Sequence, residues 1–553
     1  MRSSRWGISA LRKRLLGERT SAGHWEGELS SSALSTATAV CALSLVGGND
    51  VLVRNGLRWL VADQHADGGF GDAAGCPSNI STTTLAWATL SMHGSAAVAR
   101  AEAWLTQRVG ELTAESMAKA IGDAYGEDRT FSIPILTHCA LAGRFGWEHI
   151  SALPFELAAL PRSWFKIVGL PVVSYALPAL IAIGQAQHHH RPTRNPLSRL
   201  LRGWTQRRTL GVLESIQPES GGFLEATPLT SFVTMSLAGS GLTDHPVTRK
   251  GVAFLAESVR DDGSWPIDTN LATWLTTLSI NALGVSALSA EERSYLRGWL
   301  LDQQYTVVHP YTQSAPGGWA WTDLTGGVPD GDDTSGALLA LWALGDGGND
   351  PQIRTAATAG VQWLLGLQNR DGGIPTFCRG WGTLPFDRSS PDLTAHALRA
   401  WQAWRTVDPR IDGAMERAVR YLLRSQQPDG AWIPLWFGNP WAADQTNPVY
   451  GTARVLQCGD LLPHEARQRG QQFLYSIQQE DGSFGAIEET ALAVAALGDA
   501  RGARWLEERA DFESSPIGLY FAKLWYSEKL YPLIFTVEAL AARRETPRCT
   551  DLE

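Results

Sequence analysis

The sequence predicts an all-α protein: two α/α, toroid-like barrel domains with a large apolar cavity between them. Three observations point there. One helix-and-turn signature recurs along the chain, and a second, small-residue apolar helix follows each copy. The composition is also apolar for a protein of 553 residues, with 44% hydrophobic residues, 23 Trp and only 19% charged residues, against a usual charged fraction of roughly a quarter.

The recurring signature runs from a basic residue through a small residue and an aromatic-aliphatic pair to Gln, then an acidic-Gly turn closed by an aromatic. Clear copies begin at Arg54 (RNGLRWLVADQHADGGF), Arg417 (RAVRYLLRSQQPDGAW) and Arg469 (RGQQFLYSIQQEDGSF). Weaker ones begin at Lys250, Ala359 and Thr209, each lacking one element. Every copy reads as the end of an amphipathic helix stopped by a Gly turn. Segments such as TTTLAWATL (82–90), TSGALLALWALG (334–345) and LTAHALRAWQAW (393–404) supply the second helix of each pair. Helix pairs repeated in this way close into concentric barrels, with the Gln amide bonding backbone at a helix end. Such barrels serve several unrelated activities, so the repeat defines a fold and not a function.

The expected organisation is an N-terminal segment, 1–44, packed on a catalytic barrel of residues 301–553, with a second barrel inserted over 45–300. Residues 1–20 carry six basic side chains among apolar ones, which fits either a basic helix on anionic lipid or an ordinary terminal helix, and lacks the apolar core of a secretory signal. Residues 167–187 are nearly uncharged, but Pro171 and Pro178 favour a buried or membrane-dipping helix over a simple span. The Arg-rich stretch 191–208 reads as a solvated linker, and the adjoining His188, His189 and His190 as a polar loop. A net charge of −9 offers no broad basic field for nucleic acid. The six Cys contain no C-x-x-C pair and read as reduced, structural thiols.

Chemistry concentrates in GGWAWTDLTGGVPDGDDTSGALLALWAL (317–344), where Asp330, Asp332 and Asp333 stand immediately before an apolar helix. A plain helix N-cap, a solvated acidic turn or a calcium loop would account for such a cluster in isolation. Three carboxyls crowded against an apolar wall, however, cannot all ionise cheaply, so one is expected to keep its proton near neutral pH. A group poised in that way can protonate an alkene.

DGDDT, the Gln-to-Gly-aromatic turns, the C-terminal PIGLYFAKLWYSEKLYPLIF, GHWEGEL at 23–29 and PFELAALPRSWFKIVGLPVVSYALPAL at 154–180 together resemble the squalene-hopene and oxidosqualene cyclase family, class II terpene cyclases, along nearly the whole chain. That resemblance implies a proton-initiated cyclase that closes rings on a linear isoprenoid, most directly squalene, to a polycyclic triterpene of hopene type. No cofactor and no metal are implied. It casts Asp332 as the acid, Asp330 and Asp333 as flanking partners, and His396 as the histidine that bonds the acid. Trp274, Trp321, Phe377 and Trp436 fall where the family's cavity aromatics occur, and π faces stabilise carbocations where water is excluded. Taken singly, each of these aromatics fits ordinary core packing, and His396 a satisfied core histidine.

Several positions depart from the family pattern. Trp321 and Phe377 stand where many squalene cyclases carry Phe and Tyr, Pro448 where a water-holding Tyr of the acid network is expected, and His138 where some members have another basic residue. A shorter polyprenyl or a prenylated aromatic substrate is therefore a rival to squalene. A class I terpene synthase lacks its DDxxD helix face here, and a protein prenyltransferase β subunit would leave DGDDT unexplained. A class II diterpene cyclase would need the 191–208 arginines for a diphosphate, and an isoprenoid-binding toroid with no activity is the non-enzyme alternative. Insoluble substrate and product imply a monotopic protein on the cytoplasmic side of a membrane, with 154–187 as the entrance; a homodimer is left open.

Overall fold

The computed structural model describes residues 7–125, 132–161, 173–509, 511–520 and 524–545. Among these, helices dominate, and β-structure is limited to two short two-stranded pairs, Ser31–Ser32 with Trp265–Pro266 and Gly518–Tyr520 with Leu524–Tyr526.

The helices form two closed rings. In the first, Ala33–Val46, Ile80–Met92, Ser132–Leu141, Val173–His190 and Thr227–Gly239 each touch the next, and the last returns to the first. In the second, Ala272–Leu283, Gly331–Leu344, Pro391–Ala403, Pro448–Leu456, Ile487–Leu497 and Tyr531–Glu545 close in the same way. An outer helix lies against each inner step, which is the α/α barrel arrangement. Inner and outer helices differ as their residues require. Ala33–Val46, rich in Ala, Leu, Ser and Thr, is buried on nearly every side, whereas its outer neighbour Asp50–Asp63 buries only Val53, Gly56 and Leu60.

The turns explain the repeat. Gln64, Gln217, Gln368 and Gln426 each donate one amide to the Gly carbonyl of their own turn and to a carbonyl at the start of the next outer helix, as Gln368 does to Gly372 and Ala414. Gly372 needs its left-handed φ of 92°, and a Cβ there would meet the Arg417 carbonyl at 2.4 Å. The closing aromatic ties the turn back: the indole N–H of Trp265, Trp319 and Trp432 donates to the carbonyl of Leu255, Leu300 and Leu422. Gln304 makes the same pair of bonds, to Gly317 and Ala356, and so marks a further repeat interrupted by an insertion.

Ring closure moves the domain boundaries away from 45 and 300. Helix Ala33–Val46 belongs to the first ring, while Ala272–Leu283 and the outer helix Ala290–Asp302, which packs on Gly331–Leu344, belong to the second. The chain crosses between barrels where Ser31 and Ser32 pair with Pro266 and Trp265. Only the part before this crossing packs on the second ring, where Ile8, Leu11 and Leu15 of Ile8–Gly17 are buried and the helix lies on Tyr531–Glu545. The basic N-terminal helix is thus docked by its apolar face.

Val173–His190 is largely buried with Pro178 inside it; residues 162–172, including Pro171, lie outside the described residues. Among the described residues, no helix is long and apolar enough to cross a membrane. The stretch 191–208 is not a linker throughout, since most of it forms Pro196–Ile216, capped by the Asn195 side chain, and His188, His189 and His190 are helical rather than a loop. His190 ends the preceding helix, stacked on Trp147.

Candidate active site

The acidic turn is suspended between two repeat turns. Asp330 N–H bonds the Trp319 carbonyl at 3.0 Å, and Gly331 N–H bonds the Thr376 carbonyl at 2.7 Å. Asp330 is the N-cap of Gly331–Leu344, its Oδ1 accepting the Asp332 and Asp333 N–H groups at 2.9 Å each. Thr334 serves the fold, since its Oγ1 accepts the Trp319 N–H at 3.0 Å. Thr36, Thr83, Thr230, Thr394, Thr452 and Thr490 do the same at the other turns.

Capping fixes the directions of the three carboxyls. Asp330 and Asp333 are buried, and Asp333 Oδ1 has no hydrogen-bond partner. Burial, reinforced by neighbouring carboxylates, pushes both well above the ordinary carboxylate range, so protons are retained in the cluster. Asp332 points elsewhere. Its Oδ1 lies 2.6 Å from His396 Nδ1, on the neighbouring inner helix Pro391–Ala403.

Asp332 stands between two cavities. On one side, a compartment of about 100 Å³ is lined by the three aspartates and by Trp274, Trp321, Phe377 and Trp436. Phe437 and, from the C-terminal PIGLYFAKLWYSEKLYPLIF segment, Tyr520, Tyr526 and Tyr531 complete its aromatic wall. Trp321 and Trp436 each meet the Phe377 ring edge-on, at 6.1 and 6.3 Å between centroids. On the other side, a polar chamber of about 40 Å³, large enough for water, is lined by Asp392, His396, Arg399, Tyr450, Arg454 and Glu538. Burial, and then the nearby Asp332, push the Asp392 carboxyl up to about 6.

One expectation changes here. Pro448 does not leave the acid without a tyrosine: it is the first residue of Pro448–Leu456, and Tyr450, two positions on, faces the polar chamber with Asp332. Among the described residues, a second aromatic-lined compartment adjoins the first. The second, also about 100 Å³, is lined by Tyr175, Leu224, Phe232 and Phe386 among others, and shares only Tyr520 with the first. His138 lies in the first ring, where burial pushes it down to about 3 and Thr89 is its partner.

An acid bonded to a histidine, flanked by proton-holding carboxyls and facing aromatic rings, is suited to protonating an alkene and sheltering the cation that follows. This is the chemistry of the class II terpene cyclases. Residues 8–195 match the model of the squalene-hopene cyclase N-terminal domain, and residues 271–503 that of its C-terminal domain. The chain belongs to the squalene-hopene cyclase family of class II terpene cyclases. Among its relatives, the squalene–hopene cyclase of Alicyclobacillus acidocaldarius is 25% identical over 78% of this chain and 75% of its own. That of Zymomonas mobilis is 24% identical over 96% and 92%. The fold is shared with ent-copalyl diphosphate synthase from Streptomyces platensis, with a TM-score of 0.56 at 17% identity, covering 97% of this chain and 98% of that one.

Proposed function

We propose that this cyclase acts on a linear polyprenoid, with squalene the first candidate, and forms a polycyclic triterpene of hopene type. The observation that carries the proposal is the placing of Asp332 between His396 and the aromatic compartment. Asp332 delivers its proton to a terminal isoprene double bond and keeps the bonding electrons as a carboxylate, which His396 stabilises. Trp274, Trp321, Phe377 and Trp436 offer their faces to the migrating cation, and loss of a proton or capture of water ends the cascade.

A second reading has its own support. Trp321, which lines the compartment beside the aspartates, is bulkier than the Phe common at its position. This favours a shorter polyprenyl chain or a prenylated aromatic. Squalene and polyprenyl substrates of decreasing length, assayed side by side with gas-chromatographic product analysis, separate the two. A polycyclic triterpene from squalene supports the first reading; conversion of the shorter chains alone supports the second.

The enzyme works as a monotopic protein on the cytoplasmic side of a membrane. The supporting surface is helix Pro196–Ile216, on which Leu197, Leu200, Leu201 and Trp204 share one exposed face, Trp204 at 81%. Leu157 and Leu160 are exposed on the segment packed against it, and Arg194, Arg199, Arg207 and Arg208 suit anionic headgroups.

A further inference from the structure

The waist between the two aromatic compartments is held by a carboxyl that lines neither. Asp268 follows the crossing strand Trp265–Pro266, is fully buried, and its Oδ2 accepts the Trp321 indole N–H at 3.0 Å. The same carboxyl interacts with the phenol of Tyr520, whose OH donates to the Leu224 carbonyl at 3.0 Å. Trp321 lines the compartment that holds the aspartates, and Tyr520 is the residue common to both compartments. Neither ring is therefore free to turn without breaking a bond to this cluster.

The backbone around it is built to keep that geometry. Leu224 and Glu225 are non-glycine residues in the left-handed region, at φ 57° and 52°. They are kept there because Glu225 Oε1 accepts from Ser220 Oγ at 2.6 Å and from Gly326 N–H at 2.7 Å, while Ala226 bridges to Asp268. An indole at position 321 creates a requirement that a phenyl ring does not have, since a buried indole N–H needs an acceptor. Asp268 meets it. Burial also pushes Asp268 well above the ordinary carboxylate range, which disfavours a fixed negative charge beside the cation's path.

We infer that Asp268 is a positioning residue, holding Trp321 and Tyr520 at the cavity waist and thereby setting how far the cyclisation cascade runs before it stops. The inference rests on the cyclase reading above. An indole held with its face to the cavity stabilises the cation at one stage and limits the space available to the next ring; a released indole does neither reliably. Products from early-stopped cations then accumulate.

The test is the product ratio in Asp268→Asn, Asp268→Leu, Trp321→Phe and the Trp321→Phe, Asp268→Leu double variant, with the substrate the unmodified enzyme turns over best. Asp268→Asn keeps an acceptor and is expected to keep the ratio. Asp268→Leu is expected to raise the share of products with fewer rings by about tenfold. In the Trp321→Phe background, which has no indole N–H to satisfy, adding Asp268→Leu is expected to shift the ratio clearly less than in the unmodified enzyme, because only the Tyr520 contact is left to lose. The double variant also carries the test if Asp268→Leu alone does not fold. An unchanged ratio in Asp268→Leu, or an equal shift on adding it to Trp321→Phe, overturns the positioning role while leaving the cyclase reading intact. No cyclised product from the unmodified enzyme with any polyprenoid overturns both.

Discussion

His396 Nδ1 and Asp332 Oδ1 meet at 2.6 Å across two neighbouring inner helices of the second ring, one starting at the acidic turn and the other a full repeat later. The histidine also sets its ring edge-on to Trp274, 6.2 Å away between centroids, so the acid and the cavity wall share a support.

Replacing His396 with Ala removes that partner without emptying a core position, because the ring faces the polar chamber. The expected outcome is a loss in kcat of roughly 10²–10⁴-fold with a melting temperature near that of the unmodified protein. Steady-state kinetics beside a thermal melt checks both.

Asp330 has a structural duty separable from its place in the acid cluster. Asp330→Asn keeps a capping side chain for the Asp332 and Asp333 N–H groups, whereas Asp330→Ala loses it and is expected to cost about 1 kcal/mol of stability. Thermal melts should rank Asn close to the unmodified protein and Ala below it, while the acid cluster is altered in both.

Stability should respond to pH through Asp392. Its carboxyl is held up at about 6 in the fold against an ordinary 3.8, so the native state binds the proton more tightly than the unfolded chain. The stabilisation this gives is complete below pH 3.8 and is lost as pH rises through about 6. Asp392→Asn, which never ionises, should gain on the unmodified protein across that window, by on the order of 3 kcal/mol at most. Denaturant unfolding at about pH 4, 6 and 8 measures the gain, the first two values lying near the limits of that window and the third above it.

Membrane binding should depend on the exposed face of Pro196–Ile216. Leu200→Glu with Trp204→Glu places two anions among the leucines and is expected to abolish sedimentation with anionic vesicles, leaving turnover of detergent-dispersed substrate in place. Sedimentation unaltered by the pair would remove this helix as the contact.

Much of this was legible because a turn needs its parts together. Gln, Gly and the closing aromatic satisfy one another's backbone bonds within a few residues, so the repeats stand out in the sequence. The copy at Gln304 does not, because an insertion separates Gln304 from Gly317. The domain boundaries were illegible for a related reason: they are set by ring closure, and Ser31 finds Pro266 far along the chain. In the site, Asp330, Asp332 and Asp333 announce themselves as a cluster, and His396, Trp274, Trp321, Phe377 and Trp436 could be named only through a family resemblance. Tyr450 and Asp268 carry no local pattern, and their positions follow from packing alone; Tyr520 and Tyr526 lie in the family-like C-terminal segment, but nothing in it marks them as cavity residues. Trp321 did hold a clue, since an indole where a phenyl is usual requires a buried acceptor somewhere.

The central claim is that Asp332 is the proton donor. Asp332→Asn preserves shape and can still face His396, but has no proton acidic enough for an alkene. In a host making squalene and shorter polyprenoids, gas chromatography of lipids should show cyclised products with the unmodified chain and none with Asp332→Asn at equal levels of folded protein. Cyclised product persisting with Asp332→Asn would contradict the account.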